Sequence, residues 1–256
     1  MRLSIENKNK LEIFVALFQL LKNWGSALTI YFESDKLYIQ TMDNSHICLA
    51  DIEIMDKWFS TYECTSSTKI SINCTQFATL INYALKHDKM ELKCDNDSDK
   101  LFINFLNESS KSSFDHFFEL NLIDLETENI EIPSVDYDVD FTIETKKFID
   151  LLSELNAFGS ELNIHCTETL FELNTMGDTT KLKINIPVND LNEYAITENG
   201  KLDLSFSLNH VCKLCVSPKL ATEINVSISN NYPMSVHYHL GDNSKIFFYV
   251  APKVED

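Results

Sequence analysis

The residues able to do chemistry are few, and their patterns are incomplete. Cys212-x-x-Cys215 has the spacing of a redox pair or of half a zinc site. It stands where a helix is expected, with no second such pair and no ordered His pair, so it reads as packed, reduced thiols. His237 and His239 share one strand face, which suits a metal, but no third ligand accompanies them. Asp95-x-Asp97-x-Asp99 opens like a calcium loop. Lys100 then stands where glycine is needed and Leu106 where glutamate is needed, so the segment reads as a turn. The five glycines form no phosphate-binding loop, and no nucleophile motif appears. No cofactor is expected and catalysis has no support; binding is the remaining class.

The chain has 256 residues and is 44% hydrophobic, enough for a real core in one large domain or two smaller ones. Its longest apolar-rich stretch, Leu11–Leu21, is far shorter than a membrane span. The start, Met1-Arg2-Leu3-Ser4-Ile5-Glu6, lacks the apolar core of a signal peptide. Seven cysteines, an odd number, fit a reducing compartment. The 39 acidic and 21 basic residues leave a net charge of −18, which argues against a nucleic-acid partner. Arg2 is the single arginine, so base-edge readout has little to work with.

An internal repeat organises these residues. Shifted by 134, Phe14–Ile30 lands without a gap on Phe148–Ile164, with seven identities in 17 positions, among them Gly25/Gly159 and Ser26/Ser160. The same offset pairs Thr41-Met42 with Thr175-Met176. Phe14, Leu17, Phe18 and Leu21 make a helical stripe, as do Phe148, Leu151, Leu152 and Leu155. Gly25 and Gly159 stand where a left-handed C-cap belongs. Alternating strands follow each helix, then a second helix: about 75–86 in the first half and 208–216 in the second. The fold class is therefore α+β: two similar domains, 1–120 and 134–256, each with two helices on antiparallel sheets. An acidic connector, 121–133, ends at Pro133 and is expected to run extended across the surface.

Counted by element, the charge separates. Helix regions 8–24, 75–89, 144–157 and 207–221 hold nine lysines against five acidic residues, +4; the remainder holds 12 basic and 34 acidic residues, −22. One explanation is compositional, since lysine favours helices and Asp favours turns. The other is a common helical face turned toward a polyanion and holding phosphates without sequence preference.

Ile39-Gln40-Thr41-Met42-Asp43-Asn44-Ser45-His46-Ile47-Cys48-Leu49 resembles the strand-and-loop signature of the proliferating cell nuclear antigen family, the eukaryotic-type DNA sliding clamps. The tail Tyr249-Val250-Ala251-Pro252-Lys253-Val254-Glu255-Asp256, the connector Leu122–Pro133, and Phe59-x-x-Tyr62-x-Cys64 are similar to that family as well, in the same order along the whole chain. The resemblance implies a non-enzymatic homotrimeric ring of pseudo-six-fold symmetry, helices lining the hole and sheets outside, enclosing double-stranded DNA. Its partners would be a clamp loader and polymerases and other proteins carrying short clamp-binding peptides. Its place would be the nucleus, or a viral replication compartment if the chain is viral. The alternative within the fold is a heterotrimer subunit or regulatory clamp with weak DNA contact.

The resemblance also assigns residues. The partner-peptide pocket would be walled by Met42, His46, Leu49, Ile130, Ile132, Pro133, Pro233, Tyr249, Ala251 and Pro252. Met42 reads equally as core, as does its repeat mate Met176. Lys22 stands where the family keeps a DNA-facing lysine, and Lys10, Lys86, Lys89, Lys146, Lys147, Lys213 and Lys219 would substitute from neighbouring positions. The subunit interface would join Phe114–Leu120, with Phe114, Phe117 and Phe118 as anchors, to the strand around Thr179, Lys181 and Lys183 of the next copy. Glu168 stands near the family's ubiquitin-modified lysine, so control by that route is not expected.

Overall fold

The structure, a computed structural model, describes residues 1–95, 98–107, 114–215 and 217–253. The chain divides into two compact units: Met1–Asn44, Ala50–Ile130 and His239–Ile246 form the first, and Ser45–Leu49, Glu131–Tyr238 and Phe247–Asp256 the second.

In the first unit, β1 (Arg2–Ile5), α1 (Lys8–Leu21), β2 (Ala27–Phe32), β3 (Lys36–Met42), β4 (Cys48–Met55), β5 (Thr61–Glu63), β6 (Thr68–Asn73), α2 (Cys74–Ile81), β7 (Lys89–Lys93), β8 (Lys100–Leu106) and β9 (His116–Asn121) follow in order. One antiparallel sheet runs β5-β1-β7-β8-β9, and β4-β3-β2-β6 form a second. The strands form because apolar residues alternate; along β4, Cys48, Ala50, Ile52 and Ile54 are buried and their neighbours are not. Both helices begin alike. The Asn7 side chain accepts from the Lys10 N–H and the Asn73 side chain from the Gln76 N–H, filling otherwise unpaired donors. The α1 stripe is fully buried, with Phe18 at 4.7 Å, edge on, from Phe77 of α2.

In the second unit, β10 (Val139–Glu144), α3 (Thr145–Asn156), β11 (Glu161–Thr167), β12 (Phe171–Met176), β13 (Lys181–Ile186), β14 (Glu193–Ile196), β15 (Lys201–Ser207), α4 (Leu208–His210), β16 (Glu223–Ile228), β17 (Met234–Gly241) and β18 (Ser244–Val250) complete the chain. The strand orders are β13-β12-β11-β15 and β14-β10-β16-β17, antiparallel throughout. Phe148 and Phe171 flank Phe141 at 6.1 and 4.6 Å to centre this core.

The repeat is visible at the helix ends, where Trp24 N–H donates to Leu21 O at 2.9 Å and Phe158 N–H to Leu155 O at 3.0 Å. Three features depart from expectation. The helix expected at 208–216 is one α turn followed by a π turn, Val211–Cys215. Asn209, His210 and β-branched Val211 are poor helix formers, and Pro218 forbids a longer helix. Gly25 and Gly159 are not left-handed caps; the C-caps are Lys22 and Ala157 in right-handed geometry, and Gly241 is the glycine with positive φ. Gly159 serves close packing instead: a Cβ there would stand 2.2 Å from Thr175 Oγ1 and 2.9 Å from Met176 O. Finally, Met176 is 71% exposed and Met42 half-buried, so neither is core.

Candidate functional site

The outer face of β2, β3 and β4 carries the first part of the site. Because Ile30, Phe32, Leu37 and Ile39 point into the core, Tyr31, Lys36, Tyr38 and Gln40 must point out. Tyr38 donates to Asp51 Oδ1 at 2.7 Å, and Lys36 bonds Glu53 at 2.7 Å. Burial, with the Asp51 carboxylate beside it, pushes the Tyr38 hydroxyl well above the usual phenol range. Across this face the connector is tied down. Ile123 N–H donates to Ser71 O, the Tyr31 and Thr127 hydroxyls lie 2.8 Å apart, and Gln40 bonds both polar groups of the Ile130 backbone. Ile130 itself is 48% exposed.

The second unit holds His46, Leu49, Ile132, Pro133, Pro233, Tyr249, Ala251 and Pro252, while Met42 and Ile130 belong to the first. None of the ten is buried. His46 sits at φ 58°, a left-handed turn that projects it outward. Ala251 N–H donates to Ile47 O at 2.9 Å and Lys253 N–H to Ser205 O at 2.7 Å, so the tail lies against its own unit up to the described end. Pro252 between them has no N–H, so on its free side this stretch accepts but does not donate. Tyr249 stacks on Phe247 at 5.9 Å, which stacks on His237 at 4.0 Å. Tyr137 donates to Pro233 O at 3.2 Å and steadies that loop. Val254, Glu255 and Asp256 lie outside the described residues.

The lysines divide by partner. The Lys10 ammonium bonds Asp242 at 2.7 Å and Trp58 O at 2.9 Å, and Lys89 pairs with Glu6 at 2.8 Å; both are committed within their own unit. Lys147 lies 3.6 Å from Glu144. Lys22 donates to the neutral Gln19 carbonyl. Lys22, Lys86, Lys146, Lys213 and Lys219 are exposed, and among the described residues no carboxylate pairs with them.

Among the described residues, each unit also has a strand that ends its sheet beside exposed or apolar surface. The β9 strand ends the β5-β1-β7-β8-β9 sheet; Phe114 just before it and Phe117 within it are 88% and 70% exposed, with Phe118 half-buried. The β13 strand ends its own sheet with Lys181 and Lys183 outward, Thr179 exposed in the preceding turn, and Lys183 held at 2.6 Å by the buried Glu172. Beside β13 runs a groove of about 510 Å³, floored by Ile143, Leu151, Ile184 and Ile186 and rimmed by Asp150 and Glu154.

The remaining chemical candidates resolve as structure. Burial pushes the Cys212 thiol up to about 11, away from the thiolate that a metal or a redox partner requires. The His237 ring stacks on Phe247, and among the described residues no three His, Cys, Asp or Glu are grouped to hold a metal. Asp97 of the calcium-like triplet lies outside the described residues. Glu168 accepts from Asn199 N–H in an exposed turn. Sequence reasoning missed Gln40, Tyr31 and Thr127 as connector ties. Only Gln40's place in the strand signature pointed near them.

Family models match both halves: proliferating cell nuclear antigen, N-terminal domain, over residues 6–129, and its C-terminal domain over 131–253. The chain is 28% identical over 223 residues to the proliferating cell nuclear antigen of Chaetomium thermophilum, covering 85% of each. It is 26% identical over 256 residues to proliferating cell nuclear antigen 2 of Plasmodium falciparum, covering 96% of this chain and 97% of that one. Among solved structures, that of Thermococcus kodakaraensis superposes with a TM-score of 0.86 at 17% identity, covering 98% of this chain and 99% of that one. A chain of the PCNA2–PCNA3 complex of Sulfolobus tokodaii superposes with a TM-score of 0.86 at 19% identity over the full length of both.

Proposed function

The chain belongs to the proliferating cell nuclear antigen family and is a DNA sliding clamp, and from that premise we propose that it works as a homotrimeric, non-enzymatic ring. The ring encloses double-stranded DNA without sequence preference, is opened by a clamp loader, and confers processivity on a DNA polymerase in the nucleus. The two repeats correspond to domains 1–120 and 134–256. The connector 121–133, the loop bearing His46 and Leu49, and the tail receive partner peptides that insert apolar and aromatic anchors.

The observation that carries the ring is that two of the sheet-end strands are marked out, β9 by its exposed phenylalanines and β13 by the apolar groove beside it. An apolar unpaired edge invites aggregation unless another strand covers it. Head-to-tail pairing of β9 on one copy with β13 on the next covers both, and a rotation that closes makes a ring. Phe114 and Phe117 then have the groove floored by Leu151, Ile184 and Ile186 to enter. A heterotrimer uses the same two edges. The solved PCNA2–PCNA3 complex of Sulfolobus tokodaii joins two different clamp chains.

The test is topological. Loaded onto a nicked DNA circle by a cognate loader, the protein should co-elute with the circle and be lost when a restriction enzyme linearises it. Retention on linear DNA, or failure to be retained on the circle, would reject enclosure.

A further inference from the structure

The connector has no strand ladder between residues 124 and 130, so its backbone groups must find partners elsewhere or in water. At its base, Leu122 N–H donates to Asp99 O and Ile123 N–H to Ser71 O, each at 2.8 Å. Beyond that point two side chains hold it. The Tyr31 and Thr127 hydroxyls lie 2.8 Å apart. Gln40 Nε2 donates to Ile130 O at 2.9 Å, and Ile130 N–H donates to Gln40 Oε1 at 2.6 Å. A carboxamide presents a donor and an acceptor side by side, so Gln40 reproduces the two-bond exchange of facing residues in an antiparallel pair. Among the described residues no other hydrogen bond holds 124–130.

Both side chains stand on a fixed row. Tyr31 and Gln40 lie on the outward positions of β2 and β3, whose inward neighbours are core. The Tyr31 ring is 6.1 Å from Tyr38 and 5.9 Å from the Lys69 ammonium. The strap they hold carries exposed Asp124, Glu126 and Glu128, while Glu53 on the face is already paired with Lys36 and Lys245 and Asp51 is bonded by Tyr38. The two neutral ties are therefore the contacts that hold it.

We propose that Gln40, assisted by Tyr31, is a positioning residue for partner binding: it latches the connector so that Ile130 is already in place as a pocket wall when a partner peptide arrives. This rests on the assignment of Ile130 to the partner pocket. If the latch opens, only the latched fraction is competent, and apparent affinity falls by that fraction. Two partly exposed hydrogen bonds set the scale at about a 5- to 10-fold loss.

The experiment uses the full chain and a labelled synthetic peptide carrying apolar and aromatic anchors. Gln40→Met removes both bonds at similar size. Gln40→Glu keeps the acceptor for Ile130 N–H but loses the donor to Ile130 O. With Gln40→Met, the association rate should fall about 5- to 10-fold with the dissociation rate unchanged, because the bound peptide itself holds Ile130. Hydrogen exchange at the Ile130 amide should rise on the order of tenfold, with the melting temperature as in the parent. Gln40→Glu should lie between. A parental association rate in Gln40→Met overturns the latch, as does a loss confined to dissociation or one that tracks a lower melting temperature. Ile130→Ala separates the two levels. If it binds the peptide as tightly as the parent, the pocket assignment falls and the latch with it; if it binds weakly while Gln40→Met does not, only the latch falls.

Discussion

Replacing Phe117 by alanine should loosen the ring without harming the subunit. The ring of Phe117 lies 70% exposed beside the free edge of β9, so the isolated chain gains little from it. Fully burying a phenylalanine is worth roughly 1.5–3 kcal/mol, so burying the exposed part at a junction is worth about 1–2 kcal/mol. A closed homotrimer has three such junctions, which gives roughly 3–6 kcal/mol per ring. For dissociation of three identical copies, the midpoint concentration moves with half of that energy, a rise on the order of 10- to 100-fold. Light scattering on a dilution series reads this directly, since one chain is 29.4 kDa and three are about 88 kDa. Tyr232, 43% exposed in the turn between β16 and β17 and so on neither edge, is the control: Tyr232→Ala should leave the midpoint alone. A parent protein of single-chain mass at all concentrations would refute the ring. An unmoved midpoint in Phe117→Ala would refute β9 as its seam.

Two further outcomes concern the subunit itself. Gly177→Ala should lower the melting temperature by several degrees, because its Cβ would stand 2.0 Å from the Phe158 carbonyl oxygen, a backbone clash costing about 1–3 kcal/mol; Gly25→Ala, whose nearest neighbour is 3.5 Å away, should be close to neutral, and equal melting of the two variants would reject the packing role. Burial alone would raise the Glu53 carboxyl, but bonds from Lys36 and Lys245 outweigh it and hold it below its ordinary value near 4.5. A depressed carboxylate stabilises the fold above the unfolded-state value and stops doing so as pH falls through the lower folded value. Denaturant titrations should therefore show the gap between parent and Glu53→Gln at pH 7 closing toward pH 3, and a gap that widens on acidification would contradict the pairing.

Periodicity made much of the fold legible, but only where burial is one-sided. Cys48, Ala50, Ile52 and Ile54 announce β4, and Phe14, Leu17, Phe18 and Leu21 announce α1. In contrast, β1 has Leu3, Ser4 and Ile5 all buried, so no alternation marks it. The π turn at Val211–Cys215 carries the same apolar spacing as a helix, and spacing does not distinguish the two. Glycine is ambiguous in the same way. Gly159 fits a cap by position, yet what requires it is Thr175 across the unit. The proposed site residues were chosen by type and order, from the signature at 39–49 and the tail. Their ties were not, because the partners are distant in sequence: Gln40 bonds Ile130 ninety positions away, and Lys10 bonds Asp242 across 232.

That last pair changes how the charge should be understood. Nine lysines in the helix regions looked like a reservoir for phosphate contacts, yet Lys10 and Lys89 are neutralised by Asp242 and Glu6 of their own unit. Lys22, Lys86, Lys146, Lys213 and Lys219 remain exposed. Each phosphate neutralised adds about 0.9 to the salt slope of duplex binding, so a surface with few free lysines binds DNA weakly and with a shallow salt dependence. A protein that had to grip DNA from one side would be poorly served by this. One that encloses it is not, because escape requires opening a seam between subunits, and the strength of that seam depends on buried aromatic surface rather than on charge. The acidic total of −18 and a DNA partner are then compatible: few free lysines leave the ring able to slide, while the junctions proposed at β9 and β13 would keep it from leaving.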